Sequence, residues 1–216
     1  MIIYNPEDKE IIEKRITEAE KILNSLPYKY CFVTGSFLFK KKYKDIDIFV
    51  LTRSKKKIKN TGKRIIITRI DFNDIYSLFY HSVSKSCIAK NILPKKPVKI
   101  TIADYWGIIN EAIPTILNQK NKYHKDIRYL ILYTEYLINK RVLDTYELTN
   151  RIAKFKNYKE ILAYAKKEIP KAIIQTVNKN YIKRYFYTQA GFYKDMLDYK
   201  SQRYLYELAH GIISEA

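Results

Sequence analysis

Cysteine, histidine and negative charge are all scarce in this chain. Its two cysteines, Cys31 and Cys87, offer no metal-ligand spacing. They read as reduced core residues of a cytoplasmic protein. His81 and His124 show no metal-like spacing either and read as surface or core residues. There is no nucleophile elbow, Walker loop or zinc pattern. No stretch of roughly 18 consecutive apolar residues occurs, so no transmembrane helix and no membrane partner are expected. No basic-then-apolar leader opens the sequence, which argues against secretion. Nor is there a Gly/Ser linker, an internal repeat or a low-complexity tail.

Apolar residues and positive charge are plentiful. Of 216 residues, 47% are hydrophobic, enough for a substantial core. Lys+Arg number 41 against 22 Asp+Glu, a formal charge of +19. Two readings fit that imbalance: an anionic partner, with RNA or DNA first, or a lysine-rich solvated surface. The charge is uneven. Residues 51–100 carry 13 Lys+Arg against two Asp+Glu, near +11, while residues 1–50 come to about +1 and the remainder to about +7.

The pattern changes near residue 103. Before it, a helix is expected from Asn5 (cap), Pro6, Glu7 and Asp8, with Ile12, Ile16, Ala19 and Leu23 on its inner face. Pro27 stops it. Three strands follow: "YKYCFVTG", Asp45–Thr52 and Arg64–Phe72. Residues 73–93 look helical, with Asn73 a candidate cap and Pro94 and Pro97 as breakers; "VKITI" reads as a further strand. From Ala103 on, apolar and tyrosine residues recur three and four apart and predict an all-helical half. The expected organisation is therefore an α/β (α+β) domain over 1–102 and a helical domain over 103–216.

Within the apolar stretch "VTGSFLFKKKYKDIDIFV", Asp45 and Asp47 lie one residue apart on a strand. Alternate strand residues share a face, so their carboxylates point the same way, about 7 Å apart along the strand. Two such carboxylates need a counter-charge, and a divalent cation suits them. The second and third strands are joined by a polar connection, "RSKKKIKNTGK", and are expected to pair antiparallel. Asp45 opposite Asp71 then places Asp45, Asp47 and Asp71 on one face. In that arrangement Lys55, Lys56 and Lys57 lie at the far end of the hairpin, roughly 20 Å from the carboxylates. Three carboxylates at a sheet's end suit two-metal phosphoryl transfer. Gly35 allows a close backbone approach to phosphate, Ser36 can hydrogen-bond it, and Lys40, Lys41, Lys42 and Lys44 can neutralise it.

Residues 29–72 resemble the nucleotidyltransferase superfamily that includes DNA polymerase beta. The resemblance rests on an apolar residue before Gly35-Ser36, then Asp45-Ile46-Asp47 on a strand and a third carboxylate, Asp71, within "RID". The chain departs from the pattern in its short gap and in lacking the Arg and Gly that many members carry after Gly-Ser. The resemblance implies a small mixed sheet of the polymerase-beta-like type with flanking helices. It implies a metal-dependent nucleotidyltransferase that moves a nucleoside monophosphate from an NTP, ATP among them, to an acceptor hydroxyl with release of pyrophosphate. Asp45, Asp47 and Asp71 would be the catalytic metal ligands for two Mg²⁺ (or Mn²⁺) ions. Gly35, Ser36, Lys40 and Lys42 would bind the nucleotide. The basic charge favours an RNA end, such as tRNA, as acceptor. A protein hydroxyl, as in toxin–antitoxin nucleotidyltransferases, and an inactive nucleic-acid-binding scaffold are the alternatives.

Two features lie in the helical half. Tyr181, Tyr185 and Tyr187 are interleaved with Lys179, Lys183 and Arg184, a pattern suited to a nucleic-acid-facing surface. Arg203 and His210, seven residues apart, resemble the Arg-x4-6-His motif of HEPN-type ribonucleases, although a plain helix surface accounts for the same spacing.

Overall fold

The computed structural model of the chain describes residues 1–4, 9–54, 58, 64–122, 124–176, 178–192 and 198–215. The expected helix-capping segment Asn5–Asp8, the lysines Lys55, Lys56 and Lys57, and the turn formers Asn60 and Gly62 lie outside the described residues. The chain is mixed α+β and divides into two compact units: Met1–Lys99 with Val142–Glu147, and Ile100–Arg141 with Leu148–Ala216. The segment 142–147, which the sequence pattern assigns to the helical half, thus packs with the first unit. Among the described residues no helix is long and apolar enough to cross a membrane.

The first unit is a five-stranded sheet with helices on both faces. Its elements are β1 (Ile2–Tyr4), α1 (Lys9–Ser25), β2 (Tyr30–Thr34), α2 (Ser36–Phe39), β3 (Ile46–Leu51), β4 (Ile65–Ile70), a 3-10 turn at Phe72–Asp74, α3 (Leu78–Lys85) and β5 (Cys87–Ala89). The sheet order is β1-β5-β2-β3-β4. Alternation sorts each strand's side chains between two cores. Cys31, Val33, Ile46, Ile48 and Val50 pack beneath α1 and α2 with Ile12, Ala19, Leu23 and Phe37. Phe32, Phe49, Leu51 and Ile70 face the other way, against Tyr80 and Val83 of α3. Each fully buried side chain of this kind contributes about 1.5–3 kcal/mol. The Phe32 and Phe49 rings stack at 5.4 Å across the β2–β3 pair.

Strand direction overturns one expectation. β3 and β4 run parallel, with Asp47 beside Ile66 and Leu51 beside Ile70. The 13-residue connection 52–64 is long enough for a crossover, so it does not close a hairpin. Its end returns to the start of β3, where the Ile46 N–H donates to the Arg64 carbonyl at 2.8 Å. The predicted helix over 73–93 is also broken. Asp71 caps the 3-10 turn by accepting from the Asn73 N–H, Ser77 caps α3, and Cys87–Ala89 pairs as a strand between β1 and β2. The expected strand "VKITI" is irregular and leads into a helix.

In the second unit the helices are α4 (Ile102–Gln119), α5 (Lys125–Asn139), α6 (Thr145–Ala153, whose first residues belong to the first unit), α7 (Tyr158–Ile174), α8 (Lys179–Phe192) and α9 (Tyr199–Glu215). Thr101 and Asp104 form a capping box at α4. Buried Trp106 and Phe186 meet edge to face at 4.6 Å. Glu135 accepts from Arg151 Nε at 2.8 Å and from the Tyr164 hydroxyl at 3.1 Å, joining α5, α6 and α7.

Candidate functional site

Antiparallel pairing of β2 with β3 builds this site. Its register opposes Thr34 to Asp47, so the next residue, Gly35, lies beside the Asp47 side chain. A Cβ added at Gly35 would stand 2.7 Å from Asp47 Oδ2. Gly35 also has φ +80°, ψ −157°, a backbone region that L side chains rarely adopt. Glycine is required there twice over, by conformation and by space. The chain turns at Gly35 from β2 into α2, a single turn closed by the Leu38 N–H on the Gly35 carbonyl (3.0 Å) and the Lys40 N–H on the Ser36 carbonyl (2.9 Å). Ser36 is half-buried at the head of this turn.

Asp45 and Asp47 share the sheet face of Phe49 and Leu51 and are both partly exposed. The parallel register, continued by one residue, sets Arg64 beside Asp45, as Ile66 is beside Asp47. Arg64 is exposed, and Ile66 is an exposed apolar residue next to the carboxylates. Lys40 and Lys42 are exposed on the loop that links α2 to β3. That loop is pinned by Arg15, whose guanidinium lies 4.5 Å from the Tyr43 ring centroid and 5.4 Å from that of Phe37. Arg15 Nη2 also donates to the Lys41 carbonyl at 3.3 Å.

Asp71 is not part of this site. It follows the C-terminal end of β4, whereas Asp45 and Asp47 stand at the start of β3. Five residues separate Asp71 from the level of Asp47, roughly 16 Å along the strand. Its position in the alternation also falls on the opposite face from Ile66, Asp47's neighbour. The three-carboxylate convergence expected from an antiparallel pair therefore does not form. Among the described residues no group of three His, Cys, Asp or Glu side chains could hold a metal ion.

Behind Gly35 lies a small cavity walled by Thr34, Leu38, Phe39, Ser86 and Tyr146. Ser86 on its wall is held by Asp144, which is 1% exposed. Asp144 accepts from Ser86 Oγ at 2.6 Å and from the Glu147 N–H at 2.8 Å. Glu147 in turn accepts from Lys85 Nζ at 2.6 Å, and the Ser86 carbonyl accepts from Thr34 Oγ1 at 2.9 Å. The segment 142–147 thereby braces the end of β2 that carries Gly35. Arg64 and Asp144 are absent from the residues expected on sequence grounds. Both have a signal: a connection of 13 residues points to a crossover that brings Arg64 to the carboxylates, and the Asp-x-x-Glu pattern at 144–147 is a helix-start signature.

The remaining candidates are dispersed. Lys183 and Arg184 are exposed on α8, and the Tyr181 and Tyr185 rings stack at 6.0 Å; the side chains of Lys179 and Tyr187 lie outside the described residues. Arg203 and His210 share an exposed face of α9. Arg203 Nε donates to Glu207 at 3.0 Å and the His210 ring lies 4.3 Å from that of Tyr206. His124 caps α5 and stands 3.1 Å from Asp126. Both cysteines are buried and free. Burial pushes the Cys31 thiol up to about 11 and that of Cys87 higher still. No family model, curated protein or solved structure matches this chain.

Proposed function

We propose that the first unit is a polymerase-beta-like nucleotidyltransferase unit. In this reading it binds a magnesium–nucleoside triphosphate at Gly35, Ser36, Asp45 and Asp47, and transfers the nucleoside monophosphate to an acceptor hydroxyl. The observation that carries it is the close approach of Asp47 to Gly35. The Gly-Ser turn and the Asp-x-Asp strand are joined into one site, with a backbone cleared of any Cβ.

The donor set bears on the metal. Two carboxylates on one sheet face are too few to hold a bare ion, and no third ligating side chain joins them among the described residues. They do fit Mg²⁺ that arrives on a triphosphate, which takes one or two carboxylates beside phosphate oxygens. Bound there, the ion would neutralise triphosphate charge and favour departure of pyrophosphate. Asp45 and Asp47 would hold the metal–nucleotide. The Ser36 hydroxyl and nearby backbone N–H groups would hydrogen-bond phosphate oxygens. Lys40, Lys42 and Arg64 supply positive charge at the rim. The acceptor hydroxyl gives up its proton to water as its oxygen attacks the α-phosphorus, the bond to the β-phosphate bridging oxygen breaks, and pyrophosphate leaves. The +19 charge favours an RNA end as acceptor.

The remote position of Asp71 favours a second reading, a nucleotide-binding scaffold without transfer. Asp71, the carboxylate expected to help deprotonate the acceptor, follows the far end of β4, and among the described residues no third ligating side chain groups with Asp45 and Asp47. One experiment separates the two: incubation with each α-labelled NTP, Mg²⁺ and total RNA, alongside Mg²⁺–NTP titration. Label on RNA with release of pyrophosphate, abolished in Asp45→Asn and Asp47→Asn, supports transfer. Nucleotide binding abolished in the same variants without labelling supports the scaffold. Absence of Mg²⁺-dependent nucleotide binding refutes both.

A further inference from the structure

The first unit carries a second cationic surface, at the end of the sheet opposite Asp45 and Asp47. There β2 begins and β3 and β4 end. Lys29 Nζ lies 5.2 Å from the Tyr30 ring centroid, and the Arg53 guanidinium 5.9 Å from that of Phe72. Tyr30 and Phe72 themselves meet edge to face at 5.7 Å. Four residues beyond Phe72, the Tyr76 ring centroid lies 4.8 Å from Lys99 Nζ and 5.0 Å from Lys96 Nζ, which donates to the Tyr76 hydroxyl at 2.9 Å. Asn91 Nδ2 donates to the Lys29 carbonyl at 2.7 Å and ties the segment that leads to Lys96 to the Lys29 side.

Among the described residues, Lys29, Arg53, Lys96 and Lys99 form no ion pair with a carboxylate. Cations of the second unit do so repeatedly, as in Arg151–Glu135, Lys171–Glu168 and Arg203–Glu207. The aromatic rings are partly buried in the core under α3, so they are rigid platforms, while the four cations are exposed. Clustered like charges repel one another, and ring quadrupoles offset only part of that repulsion. An exposed cation–π interaction is weaker than the stacking of a base on the same ring. A ligand with both an anionic backbone and flat faces would therefore displace the ammonium groups from the rings and take them as phosphate partners. Unpaired bases are needed to reach the rings, and a duplex hides them.

We propose that this surface, centred on Tyr30, Phe72 and Tyr76 with Arg53, Lys96 and Lys99, binds single-stranded nucleic acid. It lies six residues along the strand from the level of Asp47, roughly 20 Å away. The inference does not rest on the nucleotide chemistry proposed above, since it concerns different residues at the other end of the sheet.

The test is fluorescence anisotropy of labelled short oligouridine over a salt series. Wild-type protein should bind, with affinity falling steeply as salt rises. Replacing Arg53, Lys96 and Lys99 together by Gln should flatten the slope of log affinity against log salt by about 2, at ~0.7 for each phosphate no longer neutralised. Tyr76→Leu should weaken binding about tenfold with the slope unchanged, because stacking is removed and charge is kept. Melting curves check that Tyr76→Leu is folded; the exposed Lys96 and Lys99 keep the test decisive if it is not. Four results overturn the proposal: no binding at low salt; an unaltered slope in the triple variant; abolition of binding in Lys183→Gln/Arg184→Gln instead; or competition by duplex, heparin or anionic vesicles equal to that by single strands.

Discussion

Asp47 Oδ2 occupies the space where a side chain at Gly35 would begin, 2.7 Å from an ideal Cβ. Gly35→Ala should therefore act on fold and site together. The strained backbone costs of order 1–3 kcal/mol, and the methyl group must also push the Asp47 carboxylate aside. The expected outcome is a lower melting temperature and loss of Mg²⁺-dependent nucleotide binding. Calorimetric titration of a folded Gly35→Ala sample that binds like wild type would show that the Asp47–Gly35 pair is not part of a nucleotide site.

Asp71 provides the contrast. Standing beyond the far end of β4, it should have no role at the carboxylate pair. Asp71→Asn should leave Mg²⁺–NTP affinity unchanged, whereas Asp47→Asn should abolish it. Asn retains an oxygen that can accept from the Asn73 N–H, so the 3-10 turn at 72–74 should persist. Equal losses in the two variants would contradict the parallel register of β3 and β4.

The brace behind Gly35 should be costly to cut. Asp144 is buried and accepts from Ser86 Oγ and the Glu147 N–H. Asp144→Ala strands both donors and should destabilise the protein by about 1.5–3 kcal/mol, the range for hydrogen bonds to a charged group. Urea unfolding should show it as a lower midpoint. A midpoint within experimental scatter of wild type would mean that segment 142–147 does not brace the first unit.

Acid dependence should be visible at the start of α9. Hydrogen bonds from the Ser201 hydroxyl and N–H, from Asn118 and from the Lys200 N–H hold the exposed Asp198 carboxyl down at about 2, against an ordinary 3.8. A depressed folded-state value stabilises above the unfolded value and loses that effect as pH falls through the folded one. Asp198→Ala should therefore lower the melting temperature at neutral pH. The gap to wild type should close as pH drops from about 4 towards 2. A gap that stays constant over that interval would show that the Asp198 charge does not contribute.

Local signals carried much of the first unit. Helical spacing of Ile12, Ala19 and Leu23 was enough to define the inner face of α1, and alternation defined the faces of β2, β3 and β4. The neighbourhood of Gly35, Ser36, Asp45 and Asp47 was legible because a short turn and loop join two strands that pair directly, so these residues are close in sequence as well as in space. Alternation, however, reads the same in both directions along a strand. It reports which face a residue occupies and is silent on which way the strand runs. The polarity of β4 is fixed only by its parallel register on β3, Ile46 beside Ile65 and Leu51 beside Ile70, and this removed Asp71 from the site. Cys87–Ala89 was likewise ambiguous, since three apolar residues fit a helix end or a buried strand equally well. Its place between β1 and β2, and the packing of Asp144 against Ser86, depend on partners some 50 residues or more distant, and only the folded chain brings those together.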